Sequence, residues 1–289
     1  MKKLKLDRVT LICVTTSDVM SSLFAMIESM KNIEYAEQIL ITDQLSCNSK
    51  IESICEKYSI KIFKIQPIKS VNEYSLFILR DLHKYFFSDY CLNMQWDGWV
   101  INYKSWDMEF LNYDYIGAVW PKEIWPEKEG FRVGNGGFSL RSKRLCIASS
   151  NIVKVSLLKI GEIIEDQFIA ETNRKRLENE FNIKFAPEEL AHKFSIERGR
   201  WNIDPFGFHG FFNFNKFLDD YNLKNLLDQL ELRCFSNILS YDLVKNLISE
   251  RRFELAKLVL DKRFKSTGSS RKNIRLMLFW GLKKIFKLK

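Results

Sequence analysis

The N-terminal third of the chain alternates short apolar runs with amphipathic ones, and that alternation limits the possible folds more than any other feature. RVTLICVTT (8 to 16) is β-branched and apolar along its length, as a strand covered on both faces would be. SSLFAMIESMKNI (21 to 33) repeats its apolar residues at helical spacing, and EQILITD (37 to 43) returns to strand character, ending on Asp43. CNSKIESICEKYS predicts a second helix, IKIFKIQ a strand, EYSLFILRDLHKYFF a helix and DYCLNMQWD a further strand. This alternation predicts an α/β fold with a mostly parallel sheet. Ligands of such sheets bind beyond the carboxyl ends of the strands, which is where Asp43 and Asp97 are expected.

Hydrophobic residues at 46% and aromatics at 14% exclude a disordered chain, and 289 residues allow one large core with a smaller appendage. The six cysteines show no CxxC spacing and several lie in apolar runs, so they are expected as reduced, buried thiols in a reducing compartment. MKKLKLDRVTLICVTT begins with the charge of a secretory signal, but its apolar run is short and lacks a small-residue cleavage site, so it reads as the first strand. No run approaches 18 apolar residues, and no membrane-spanning segment is expected. The net charge is +9, yet residues 265 to 289 hold eight Lys/Arg and no Asp/Glu, leaving 9 − 8 = +1 elsewhere. Basicity confined to a tail does not make a nucleic-acid surface.

Beyond residue 130 the pattern changes. GFRVGNGGFSLRSK is glycine-rich between strand-like pieces, IGEIIEDQFIAETNRKRLENEF is helical, and RWNIDPFGFHGFFNF is dense in aromatics and turn residues. From about 216 the text is helical, with KSTGSS (265 to 270) expected as a flexible joint.

Four stretches contain residues able to carry chemistry. Asp97 follows a tryptophan and precedes a glycine; Asp-Gly is a strong turn signal, while a carboxylate in such apolar text also pairs or binds a cation. GNGGFSLR allows close backbone approach to a ligand, or a plain bulge; it is neither a dinucleotide fingerprint nor a Walker loop. Glu165 and Asp166 are either first-turn acids of a helix or a general base, and at most one can face a site because neighbours on a helix point about 100° apart. His209, between turn residues in FGFHGFF, is either a core histidine or a ligand. The chain has no HExxH, no Cys/His cluster and no GxSxG elbow, which argues against a zinc site or a serine hydrolase.

Together QWDG (95 to 98), YDYIGAVW (113 to 120), VGNGGFSLR (133 to 141), EDQF (165 to 168) and GFHG (207 to 210) resemble a bacterial glycosyltransferase-like family known as a domain of unknown function, over roughly residues 8 to 214. Such proteins are similar to nucleotide-sugar transferases of the GT-A fold. The resemblance implies a GT-A-like, Rossmann-type mixed sheet flanked by helices over residues 1–215; it does not reach the last seventy or so residues, where the helical text itself predicts an extension over 216–264 and a basic amphipathic tail over 265–289. It implies a metal, Mn2+ or Mg2+, at Asp97 and His209, with Gln95 standing where a first Asp is usual. It also implies donor contacts from Gln95, Asp97, Asn135, Gly136 and Gly137 and a catalytic base in Asp166 or Glu165; Thr15, Asp43, Gly98 and Arg141 are expected as further donor contacts, Asp43 from its strand end and Arg141 as a cation facing the leaving diphosphate. Losing one carboxylate at Gln95 weakens a hard-cation site, so metal dependence stays open.

The implied function is transfer of a sugar from a nucleotide diphosphate sugar, UDP-sugar favoured, to a hydroxyl of a surface or lipid-linked glycan, with inversion. A nucleotidyltransferase is the rival enzyme, although the turn after the first strand, TTSDVMSS, has no glycine. A carbohydrate- or nucleotide-binding protein without activity is the other rival. The expected location is the cytoplasm, peripheral on the inner face of the membrane. There Ile274, Leu278, Leu282, Ile285 and Phe286, opposite Lys283, Lys284 and Lys287, would meet anionic lipid. Packing of that apolar arc on the preceding helices is the alternative.

Overall fold

The computed structural model describes residues 3–123, 130–156, 163–199 and 204–286. The chain divides into two compact units, Met1–His209 and Gly210–Lys289. Parts of three sequence readings lie outside the described residues: 160–162 of the helical text, 200–203 of the aromatic stretch, and Lys287 of the tail.

Among the described residues the first unit contains nine strands: β1 Leu4–Val14, β2 Ile33–Asp43, β3 Lys61–Ile65, β4 Tyr90–Met94, β5 Gly98–Val100, β6 Tyr115–Gly117, β7 Phe138–Ser142, β8 Ser195–Ile196 and β9 Gly207–His209. Its helices are α1 Val19–Met30, α2 Ser49–Lys57, α3 Val71–Arg80, α4 Lys143–Ser156, the single turn α5 Glu165–Gln167, α6 Arg174–Phe181 and α7 Glu188–Phe194. A π-helical stretch, Phe168–Thr172, joins α5 to α6.

Six strands form one sheet in the order β3-β2-β1-β4-β7-β6, with β1 to β4 parallel and β7 antiparallel to both its neighbours. The parallel β1 to β4 are what the sequence alternation predicts, and the whole is the Rossmann-type mixed sheet flanked by helices that the resemblance implies. Its strands read as unbroken apolar runs because both faces are covered. Ile12, Val14, Ile39 and Ile41 pack with Ile78, Leu82 and Phe86, while Leu11, Cys13 and Leu40, of opposite parity, are equally buried. All six cysteines are buried thiols.

One strand is shorter than expected. β4 stops at Met94, short of Asp97, because Gly98 N–H donates to Gln95 O at 3.3 Å and closes a turn. The chain does not fold back on β4 there, since β5 joins a second sheet of order β5-β9-β8.

The second unit is helical, as predicted: α8 Asp220–Gln229, α9 Ile238–Ser249, α10 Phe253–Thr267 and α11 Arg271–Phe286. The side chains of Asp219 and Asn237 cap α8 and α9 by accepting from Asn222 N–H and Ser240 N–H. KSTGSS is a pinned turn where a flexible joint was expected. Helix α10 runs through Thr267, and Asn273 donates to Thr267 Oγ1 at 3.0 Å and to Gly268 O at 2.9 Å. Asn273 Oδ1 in turn accepts from buried Arg263 at 3.1 Å. These bonds satisfy the carbonyl end of one helix from the start of the next, which composition alone does not reveal.

Candidate active site

The three-stranded sheet collects acids and an imidazole from distant parts of the chain. In its register Gly98 lies opposite His209 and Ile196 opposite Phe208. Asp97 therefore reaches His209 from one side and Glu197, the residue after β8, from the other. The distances are 3.1 Å from His209 Nε2 to Asp97 Oδ1 and 3.6 Å from His209 Nδ1 to Glu197 Oε1. Burial opposes a charge on the imidazole, but Asp97 and then Glu197 outweigh it and push His209 up to about 10. Glu197 carries no sequence signal; it is an acid after the two-residue strand of KFSIERG, and only strand pairing brings it to the histidine.

The glycine-rich loop lies against this group. A Cβ on Gly137 would meet His209 Nε2 at 2.1 Å, and one on Gly136 would meet Glu165 Oε1 at 2.2 Å and Asp166 Cβ at 2.9 Å. Two consecutive glycines thus separate the imidazole from the acidic pair at a spacing that no side chain tolerates. Gln95 N–H donates to Gly137 O at 2.8 Å, Asn93 Nδ2 to Gly136 O at 3.2 Å, and Gly137 N–H to Asn135 Oδ1 at 3.3 Å, so the loop is held from β4 and from within. Gly137→Ala is expected to displace His209, lowering the unfolding midpoint and removing ligand-induced stabilisation. A variant with parental melting and ligand response would refute the close approach.

The two neighbouring acids have separate environments. Glu165 forms a buried pair with Arg141, at 3.0 Å from Nη2 to Oε1 and 2.9 Å from Nη1 to Oε2, with side-chain exposures of 6% and 1%. Arg141 also donates to Gly136 O at 3.1 Å and to Ser139 Oγ at 2.9 Å, bracing the loop from beneath. Asp166 is half-buried and accepts from Gly136 N–H at 3.3 Å. Burial first, and the charge of Glu165 second, push its carboxyl up to about 7. That value suits a proton acceptor working near neutrality.

Gln95 Nε2 donates to Tyr74 Oη at 3.2 Å, so its amide is turned toward α3. Thr15 and Asp43 lie at the carboxyl ends of β1 and β2, on the sheet edge where a ligand is expected. Asp43 Oδ1 accepts from Leu45 N–H at 2.8 Å and Ser46 N–H at 2.9 Å, which keeps the carboxyl below its ordinary value despite its burial. The structure thus groups Gln95, Asp97, Gly98, Asn135, Gly136, Gly137, Arg141, Glu165, Asp166 and His209 around one loop, with Thr15 and Asp43 further along the sheet edge. A cleft near β3, bordered by Lys64, Glu73, Arg80 and Asp81, contains none of them.

Among the described residues no three His, Cys, Asp or Glu side chains converge as a metal cage. Asp97 and His209 Nε2 still fit two positions of one ion, which would displace the proton that the two carboxylates hold on the imidazole. Adjacent octahedral ligands about 2.1 Å from a small divalent cation lie about 3 Å apart, close to the observed separation. Glu197 behind Nδ1 matches the carboxylate that orients a ligating histidine. With only two protein ligands, phosphate oxygens and water have to complete the shell.

A family model described as "Protein of unknown function (DUF5672)" matches residues 57–209. The chain belongs to this family. The match contains the loop, the acidic pair and all three members of the Asp97–His209–Glu197 group. No curated protein matches the chain.

Solved structures that align with it include the Mycobacterium tuberculosis glucosyl-3-phosphoglycerate synthase in complex with Mn2+, UDP and glucosyl-3-phosphoglycerate, at 8% identity and TM-score 0.35, covering 53% of this chain and 66% of that one. The apo-form glycosyltransferase GlyE of Streptococcus pneumoniae aligns at 9% identity and TM-score 0.39, covering 70% of this chain and 54% of that one. A glycosyltransferase involved in glycosylation of the major capsid of PBCV-1 aligns at 10% identity and TM-score 0.40, covering 70% and 91%. This chain therefore spans just under two thirds and about half of the first two.

Proposed function

We propose that the protein is a glycosyltransferase that moves a sugar from a nucleotide diphosphate sugar, UDP-sugar favoured, to a hydroxyl of a surface or lipid-linked glycan, with inversion. One observation carries this reading: the Gly136–Gly137 loop separates a carboxylate poised near neutrality, Asp166, from a carboxylate–imidazole pair, Asp97 and His209. Displacement at an anomeric carbon needs those two ends, a proton acceptor on the attacking side and charge stabilisation on the leaving side.

In this mechanism Asp166 takes the acceptor hydroxyl proton as that oxygen bonds to the anomeric carbon. The bond to the diphosphate breaks, and its electron pair leaves on the phosphate oxygen. A single displacement of this kind inverts the carbon. Asp97 and His209 would hold a divalent cation, which when bound neutralises the leaving diphosphate. Gly136 and Gly137 let the imidazole and the acidic pair close on the loop from its two sides, while Arg141 and Glu165 keep the loop in place.

A nucleoside diphosphate, with UDP first, is expected to raise the melting temperature, and Mn2+ to raise it further. In Asp97→Asn the Mn2+ increment should vanish. Failure of every nucleotide diphosphate to stabilise the fold would reject the transferase. Stabilisation equal with and without Mn2+ would reject the metal role of Asp97. The use of the Gln95 amide on Tyr74 favours a second reading, a binding protein without turnover, and Asp166 separates the two.

A further inference from the structure

Helix α11 buries only part of its circumference. Asn273 and Leu276 are buried, and Trp280 Nε1 donates to Phe253 O at 2.9 Å, so this side fixes the helix within the second unit. Lys284 is paired with Glu254 at 2.8 Å. The apolar stripe expected from the sequence points the other way: Ile274, Leu278 and Leu282, spaced i, i+4 and i+8, are 39%, 60% and 53% exposed. Met277 and Phe279 flank them at 44% and 38%. Of the three residues that blur the amphipathic division in the sequence, Leu276, Trp280 and Arg275, the first two dock the helix, which leaves the regular stripe outside. The side chains of Ile285 and Phe286, which would extend it, lie outside what is described.

We infer that this outer face of α11 seats the protein on an anionic lipid bilayer, with the helix lying in the plane of the surface. Charge selects this occupant. Exposed Arg271, Lys272 and Arg275 lie beside the stripe, and no Asp or Glu follows Asp261 in the chain. A second copy meeting the same face would set these cations against their own kind. Anionic headgroups neutralise them while the acyl boundary takes up Ile274, Leu278 and Leu282. Among the described residues no helix is long and apolar enough to cross a membrane, so the contact is interfacial.

The test is co-sedimentation of the full chain with phosphatidylglycerol/phosphatidylcholine vesicles and with pure phosphatidylcholine vesicles. Binding to the anionic vesicles alone is expected, with at least a tenfold loss in Leu278→Glu/Leu282→Glu. Arg271→Gln/Arg275→Gln should weaken binding and reduce its salt dependence. Both pairs are exposed, so melting temperatures should match the parent and exclude misfolding as the cause. Equal vesicle binding by parent and Leu variant would overturn the inference. So would absence of binding to either vesicle, or a dimer in solution that the Leu variant abolishes. None of these measurements depends on the proposed transferase activity.

Discussion

Replacing Asp166 with asparagine is expected to lower nucleotide-sugar turnover by about 10²- to 10⁴-fold while leaving donor binding unchanged. The amide keeps the size of the carboxylate and can still accept from Gly136 N–H, but it cannot take a proton. Parental turnover should rise tenfold per pH unit until about 7 and then level off, because only ionised Asp166 works. The variant should lose that dependence. Stability moves in the opposite direction. The folded-state value, about 7, lies above the ordinary 3.8, so the stability contributed by this group is complete below the ordinary value and is lost as pH rises to about 7. Asp166→Asn should therefore melt higher than the parent at pH 8. Undiminished turnover would reject Asp166 as the base, and absence of turnover in both proteins with intact donor binding would favour the non-catalytic binder.

Arg141→Met is expected to cost about 3–5 kcal/mol of stability, since it strands the Glu165 carboxylate in the core. Arg141 is 1% exposed, also braces Gly136 O and Ser139 Oγ, and lies over the Tyr115 ring at 5.5 Å. Glu165→Gln should be damaging in turn, because it leaves the guanidinium uncompensated. The double variant Arg141→Met/Glu165→Gln should recover much of the loss, as no lone charge remains. Urea midpoints of the four proteins give the coupling directly. Additive losses, with no recovery in the double variant, would show that the pair does not act as a unit.

How far the sequence reaches is clearest at the acidic pair. Helical geometry requires Glu165 and Asp166 to point apart, so at most one can serve a site, and the sequence goes no further. The buried cation at Arg141, 24 residues away, decides between them by taking Glu165, which leaves Asp166 at the loop. The tail behaves likewise. Its apolar stripe is visible as a period, but whether the stripe docks or faces solvent depends on Leu276, Trp280 and Asn273 finding partners.

The amino-acid sequence by itself determines the βαβ opening, the strand ending on Asp43, the helical C-terminal unit and the glycine-rich loop before a strand. These are local patterns: unbroken apolar runs in strands covered on both faces, apolar residues recurring every 3.6 positions in helices, and the backbone freedom of glycine in the loop. The partner of Glu165 and the place of Glu197 were decided by the tertiary structure alone. Each depends on a strand register or ion pair joining residues far apart in the chain, and neither leaves a period to read.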